Sequence, residues 1–373
     1  MSRSRTGRTG RTLRWLVALS IAVVLAAAYR YSRAALPAQY PATAGTLQWT
    51  LNGTEFGIPV MPINAWVYSD SGDLTILSRI VNGKSEVWRV TRRSLAGTTV
   101  DFMLPPLPEL QQGVGQVMPD IAVDSFGVMY IPIVWRYTKE NQGVGVVALH
   151  KEGSLDRLIV LKQRVEIRHV AVDANGSLYV LGVDPAYFNR RIDDCYILHK
   201  YTAQGERIAS FSTCPRTARL RQPGSIVPGP GIDELMHETQ RGSIWLKGDS
   251  VFQLLPYAHE LRQFSLNGTL QNRLVLDLPP QGQSGDIPVQ IFPRTDGTFV
   301  VIWLHKEIAE LNTIGSGKYM ALHDAASGRA LTIGTPVLAT SGIPFFSDKG
   351  GRLFALARGD NRYEVKRADV SVQ

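Results

Sequence analysis

Acid–base or ligand chemistry needs polar side chains brought together, and this sequence offers few places for it. Asp120 and His169 form the leading couple, because a carboxylate beside an imidazole can orient a general base or present both groups to a ligand. Asn64 and Gln290, with Glu238 nearby, are the other polar residues that fall close to equivalent points of a repeating pattern described below. The Asp-x-x-Gly segments at Asp124 and Asp173 also carry carboxylates. Their spacing suits turns, in which the aspartate binds backbone N–H groups and Gly127 or Gly176 takes positive φ.

Other chemistry is missing from the pattern. There is no G-x-S-x-G elbow and no H-E-x-x-H helix. The segment Gly315-Ser316-Gly317-Lys318-Tyr319 lacks the earlier glycine and the Ser/Thr that a phosphate loop requires, and reads as an ordinary loop. The 7 histidines are dispersed, with no Cys-x-x-Cys or histidine cluster for a metal or haem. The arginines near 190 and from 216 to 221 read as solvated charge.

The 2 cysteines carry a sharper expectation. Cys195 and Cys214 flank one hairpin, CYILHKYT–AQGE–RIASFSTC. With Ala203–Glu206 as the turn, Thr202 faces Arg207 and paired numbers sum to 409, which is also the sum of 195 and 214. Opposed strand residues have Cα atoms about 4.5–5.5 Å apart, within disulfide range, so a Cys195–Cys214 bond is expected.

Repeats supply the elements that must position these groups. PDIAVDSFGVMYIPIVW (119–135) and RHVAVDANGSLYVLGVD (168–184) share one layout: apolar strand, Asp-x-x-Gly turn, longer apolar strand. Weaker copies place the turn glycines at Gly72, Gly127, Gly176, Gly242, Gly297 and Gly351, at spacings of 55, 49, 66, 55 and 54 residues. A second hairpin follows each, giving four antiparallel strands per unit. Second strands such as LYVLGV are apolar on both faces, whereas fourth strands such as LDRLIVLK carry charge, as outer edges do. Radially repeated four-stranded sheets make a six-bladed β-propeller, an all-β fold. Aligning on the turn glycine puts Ala65, Asp120, His169, Leu235, Gln290 and Pro344 at the mouth of a central channel.

The chain's 373 residues are ample for such a domain, and ordinary apolar content excludes collagen, coiled coil and wholesale disorder. A net charge of +8 suggests nucleic acid until it is divided. Seven arginines stand in residues 1–33, which leaves 33 basic against 32 acidic residues in the remainder and no clustered excess. Nucleic acid is therefore not an expected partner.

Those arginines flank Trp15–Tyr29, an apolar run of fifteen residues. It suits either a secretory h-region or a short signal anchor with its basic end in the cytoplasm. Both export the rest of the chain to the periplasm or the extracellular side. The domain plan is thus 1–33 as basic segment and signal or anchor, 34–45 as a short stalk, and 46–373 as the propeller. The stretch TLQWTLNGTEFGIPV (46–60) has strand composition, and the chain's last blade lacks a fourth strand, so this stretch is expected to close the ring.

At PDIAVDSFGVMYI and HVAVDANGSLYVL the sequence resembles the NHL repeat of six-bladed propellers. Four blades are looser, with Ser69, Thr239 and Arg294 replacing the strand-end aspartate. The resemblance implies the architecture and leaves the function open among binding scaffolds, periplasmic interaction proteins and metal-dependent lactonases. A calcium site at the mouth would need several converging oxygens, and the ring offers one carboxylate and one amide. The expectation is therefore an exported, membrane-tethered, non-enzymatic module without a cofactor, binding a protein or small ligand through Asn64, Asp120, His169 and Gln290. A lactonase-like hydrolase using calcium is the alternative.

Overall fold

Strands covered on both sides must be apolar on both faces, and the second strand of each blade shows it most clearly. In Leu178–Val183 every residue is buried. Outermost strands behave oppositely: Leu270–Val275 is exposed at every position except Leu274. The computed structural model describes residues 45–372, apart from 60–62, 70–71, 83–84, 95–96, 108–114, 137–141, 186–194, 215–231, 281, 284, 306–317, 334, 337–344, 349–350 and 359–361. The expected apolar segment Trp15–Tyr29 and Pro344 lie outside the described residues.

The strands form six sheets arranged as the blades of an all-β propeller. Blade one comprises Ala65–Tyr68, Leu74–Asn82, Ser85–Arg93 and Thr99–Met103. In blade two an inner strand split into Gly115–Val117 and Ala122–Val123 precedes Met129–Arg136, Gln142–Leu149 and Leu155–Val160. Blade three is Glu166–Val172, Leu178–Val183, Tyr196–Tyr201 and Arg207–Thr213. Blade four follows helix α1 (Ile232–Arg241) with Ser243–Lys247, Ser250–Leu255, Glu260–Ser265 and Leu270–Val275. Ile287–Pro293, Thr298–Leu304, Lys318–Asp324 and the short Thr335–Pro336 make blade five.

Blade six joins the two ends of the described chain. Phe345–Ser347, Leu353–Arg358 and Arg362–Val372 are completed by Gly45–Pro59, which runs antiparallel to Arg362–Val372 from Leu47 opposite Val372 to Pro59 opposite Arg362. Leu47 and Ile58 of this strand are buried. Gly45 and Thr46 also pair in parallel with Thr332 and Ile333, linking blade six to blade five.

Apolar side chains fill each gap between neighbouring blades. Between blades two and three, Val146 and Ala148 meet Ile167 and Val180; between five and six, Ile302 and Met320 meet Leu353, Ala355 and Leu47. The remaining gaps are filled in the same way around the ring. Each such core side chain contributes roughly 1.5–3 kcal/mol by leaving water.

Turn chemistry sets the first corner of each blade. Asp124 Oδ1 accepts from the Phe126 and Val128 N–H groups at 2.8 and 2.9 Å, and Tyr130 OH donates to Oδ2 at 3.2 Å. Asp173 repeats this with Asn175, Ser177 and Tyr179. Gly127 and Gly176 have φ of 83° and 76°, which their missing Cβ permits. The Tyr130 hydroxyl is buried beside the Asp124 carboxylate, and burial first, then that charge, pushes its pKa up to about 12.

Blade four departs from the sequence alignment. Residues 232–241 are helical, so Thr239 and Gly242 are not at a strand-to-strand turn; the turn lies at Gly248, φ 58°. Thr239 Oγ1 instead donates to the Leu235 carbonyl at 2.9 Å within the helix. Gly242 is needed for close approach, since a Cβ there would stand 2.7 Å from the Glu238 carbonyl oxygen and 3.0 Å from that of Leu254.

Candidate functional site

Strand direction sorts the connections onto two ends of the propeller. First-to-second and third-to-fourth strand turns share one end, and they are tight: five residues separate Val172 from Leu178 and five separate Tyr201 from Arg207. Second-to-third connections and the crossovers between blades share the other end and vary in length: two residues separate Asn82 from Ser85 and four separate Leu255 from Glu260, whereas 12 separate Val183 from Tyr196 and 13 separate Leu304 from Lys318. The Cys195–Cys214 disulfide, with Cα atoms 5.4 Å apart, pins the roots of two of these longer connections together.

The register behind that bond follows the sequence arithmetic with one adjustment. Tyr196 faces Thr213, Leu198 faces Phe211 and Lys200 faces Ala209, all summing to 409. Near the turn a register shift places Arg207 opposite Tyr201 rather than Thr202, and the Thr202 N–H bonds the Glu206 carbonyl.

Asp120, in the break between Gly115–Val117 and Ala122–Val123, meets His169 of blade three's inner strand. Asp120 Oδ1 lies 3.3 Å from His169 Nδ1, and Oδ2 accepts from the Val170 N–H at 2.6 Å. Because a carboxylate only accepts, His169 Nδ1 carries the proton and Nε2 is the lone-pair nitrogen of the neutral ring. Asn64 is exposed, and its Oδ1 accepts from the Arg79 N–H at 2.7 Å, which fixes it to blade one. Gln290 is half-buried on the inner strand of blade five. Leu235 does not line the channel. It is fully buried on α1, packed with Leu181 and Ile244, because the aligned glycine of blade four belongs to the helix end.

The long-connection end of blades four and five holds a second group of polar residues. Glu238, on α1, is 1% exposed, and its carboxylate accepts from the N–H groups of Tyr257 and Ala258 at 2.7 and 3.0 Å. Burial pushes its pKa up to about 7, against the lowering effect of those two bonds. Asp286 is 0% exposed, and its Oδ2 accepts from the Gln283 N–H at 2.9 Å, His305 Nδ1 at 3.1 Å and Tyr319 OH at 2.9 Å. The Asp286 carbonyl meets His259 Nε2 at 2.7 Å. Burial, then the bond to Asp286, raises the Tyr319 pKa well above its ordinary value. His305 is thus a half-buried imidazole with its tautomer set by a buried carboxylate, an arrangement that can accept a proton or a ligand hydrogen bond at Nε2.

Sequence reasoning did not find this group. Asp286, His305 and Tyr319 stand at the ends of three different strands, and only the blade topology brings them together. The one available signal was that each borders a connection on the same end.

The residues at the mouth do not fit a shared metal ion. Asn64 and Asp120 are engaged on separate blades as described, and among the described residues no group of three or more His, Cys, Asp or Glu side chains converges as a ligand set.

The fold and site define a six-bladed β-propeller with a polar, long-connection end. Among solved structures it is similar to a protein of unknown function from Bacteroides caccae, at 9% identity and a TM-score of 0.43 over 78% of this chain and 94% of that one. It is likewise similar to a luciferin-regenerating enzyme, at 9% identity and a TM-score of 0.42 over 86% of this chain and 95% of that one. No protein-family model and no curated protein matches the sequence.

Proposed function

We propose that this chain is an extracytoplasmic ligand-binding propeller of NHL-like blades, tethered to a membrane through Trp15–Tyr29, whose ligand enters at the long-connection end. The observation that carries this reading is a pair of carboxylate-oriented imidazoles: half-buried His169 with Asp120, midway along the inner strands of blades two and three, and half-buried His305 with the buried Asp286 and Tyr319 at the long-connection end. An imidazole oriented at Nδ1 by a carboxylate can meet a ligand through Nε2, which supports a use beyond folding. The disulfide supports placing this domain in an oxidising compartment. The partner is a small molecule or a protein segment reaching the mouth, with no covalent chemistry assigned.

Crystallographic fragment screening tests the location without knowing the ligand. Hits should gather around His169, Tyr257 and His305. Hits gathering instead at the tight turns near Phe126 and Asn175 would contradict the proposal.

A further inference from the structure

Two non-glycine residues among those described have positive φ, and one of them touches the Asp286 group. His259, with φ 54°, ends the connection from Ser250–Leu255 to Glu260–Ser265 in blade four and is 8% exposed. A residue with a Cβ holds this conformation at a cost in stability, and keeps it where its surroundings fix it. The fixing contacts are specific. Leu276 N–H donates to the His259 carbonyl at 2.8 Å, His259 N–H donates to the Pro256 carbonyl at 3.2 Å, and Glu238 holds the N–H groups of Tyr257 and Ala258.

The His259 ring reaches from blade four to blade five. Its Nε2 lies 2.7 Å from the Asp286 carbonyl oxygen, and because a carbonyl only accepts, Nε2 carries a proton. The ring also stands edge-on to Trp303 at 5.2 Å, Trp303 stacks on Tyr319 at 6.4 Å, and Tyr319 OH donates to Asp286 Oδ2. His259 therefore meets Asp286 by two routes, directly at the carbonyl and through two rings at the carboxylate. Asp286 N–H donates to the Gln283 carbonyl at 3.0 Å, and Gln283 N–H returns to Oδ2 at 2.9 Å. The oxygen so held is the one that faces His305 Nδ1 at 3.1 Å. Glycine and asparagine take positive φ readily, but glycine brings no donor and the asparagine amide ends one bond short of a ring Nε2.

We propose that His259 is a positioning residue: it fixes Asp286 so that His305 keeps its proton on Nδ1 and presents a bare Nε2, which selects a ligand group that donates a hydrogen bond, a hydroxyl or an N–H. Oδ2 already accepts from an O–H and an N–H, so it has no proton to give and His305 Nδ1 is the donor. The His305 side chain is 32% exposed, which leaves the ring open to a ligand. A site that ends in a lone pair rejects groups that only accept, because two acceptors meet with no proton between them. This assignment deepens the ligand-face proposal above and rests on it.

Nitrogen NMR of the full-length protein in detergent, isotope-labelled at histidine, tests the positioning role, with the His305 signals assigned by their loss in His305→Gln. In the parent the neutral His305 ring should show a protonated Nδ1 and an unprotonated Nε2. His259→Phe, which keeps a ring beside Trp303 and loses the donor, should move His305 to a tautomer mixture. His259→Gln, whose amide nitrogen lies as many bonds from Cα as Nε2 does, should restore the parent pattern. A merely structural His259 would lower the melting temperature in both variants and leave the His305 pattern untouched. An Nε2-protonated His305 in the parent, or an unchanged pattern in folded His259→Phe, would overturn the assignment. Should His259→Phe not fold, the parent pattern and a pair of ligands decide. Phenol and its methyl ether anisole are titrated while His305 Nε2 is followed, and phenol should bind tenfold or more tightly than anisole. Equal binding, or binding of neither, would sink the donor selectivity. If both fail while other fragments still occupy the long-connection end, the donor assignment is wrong and the ligand face stands.

Discussion

Two carboxylates, one at each end of the propeller, accept a pair of backbone N–H groups and differ in nearly everything else. Asp173 binds Asn175 and Ser177, two and four residues along its own turn. Glu238 binds Tyr257 and Ala258, 19 and 20 residues away, and so straps α1 to the next blade's second-to-third turn. The first device is local, repeated at Asp124, and completes a hairpin. The second holds a helix beside a channel mouth and leaves a nearly inaccessible carboxyl with its pKa raised to about 7. The first device completes a turn within one hairpin; the second ties segments distant in sequence and leaves its carboxyl with a raised pKa. The proposal of a ligand-binding end rests on this difference.

Removing the closure of the ring should have the largest effect and should spare neither end. Deleting residues 45–58 takes away the strand that carries Leu47 and Ile58 into two blade interfaces. The loss should be on the order of 5 kcal/mol or more, seen as a melting temperature lowered for the whole domain. A truncated protein melting like the parent would show that the ring is held by its blade-to-blade packing alone.

A smaller and one-sided effect is expected from the disulfide. The Cys195→Ala/Cys214→Ala protein loses a cross-link spanning 19 residues of sequence, which is worth about 3 kcal/mol in the chain-entropy account. Hydrogen exchange should accelerate first near Tyr196 and Thr213 and spare the Asp173 turn. Uniform acceleration across blade three would erase the distinction between the two ends in that blade.

How far the sequence foretells this arrangement depends on whether the determinants are local. Asp124, Gly127, Asp173 and Gly176 mark their own turns, so two blades could be read directly and the rest by spacing. The cysteine pairing was legible because strand register is arithmetic, and the shift near Arg207 was absorbed before Lys200. Blade four was misaligned because IDELMHETQRG ends in a glycine that resembles a turn residue but serves the close passage of α1 against Leu254. Helix formers fill that segment, and Arg241 in its last turn suits the helix dipole, yet its buried positions include Glu238 and Thr239, which mask an apolar stripe. The Asp286–His305–Tyr319 group was out of reach for another reason. Its members are 19, 14 and 33 residues apart, and no motif joins them without the blade.

The contrast between Asp173 and Glu238 can be measured directly by comparing the melting of Asp173→Ala and Glu238→Gln at pH 5 and pH 8. Glu238 has a folded pKa near 7 against an ordinary value of 4.5. Its burial is therefore harmless below pH 4.5, and stability is lost as pH rises from there through 7, by about 3 kcal/mol at most. Glutamine removes that penalty but forfeits one acceptor, worth about 1 kcal/mol. Glu238→Gln should accordingly be more stable than the parent by about 2 kcal/mol at pH 8 and no more stable at pH 5. Asp173→Ala should lose about 2 kcal/mol at both pH values, since it strips two N–H groups of their acceptor in a tight turn. Glu238→Gln destabilised as much as Asp173→Ala at pH 8 would contradict the division of the molecule into a folding end and a binding end.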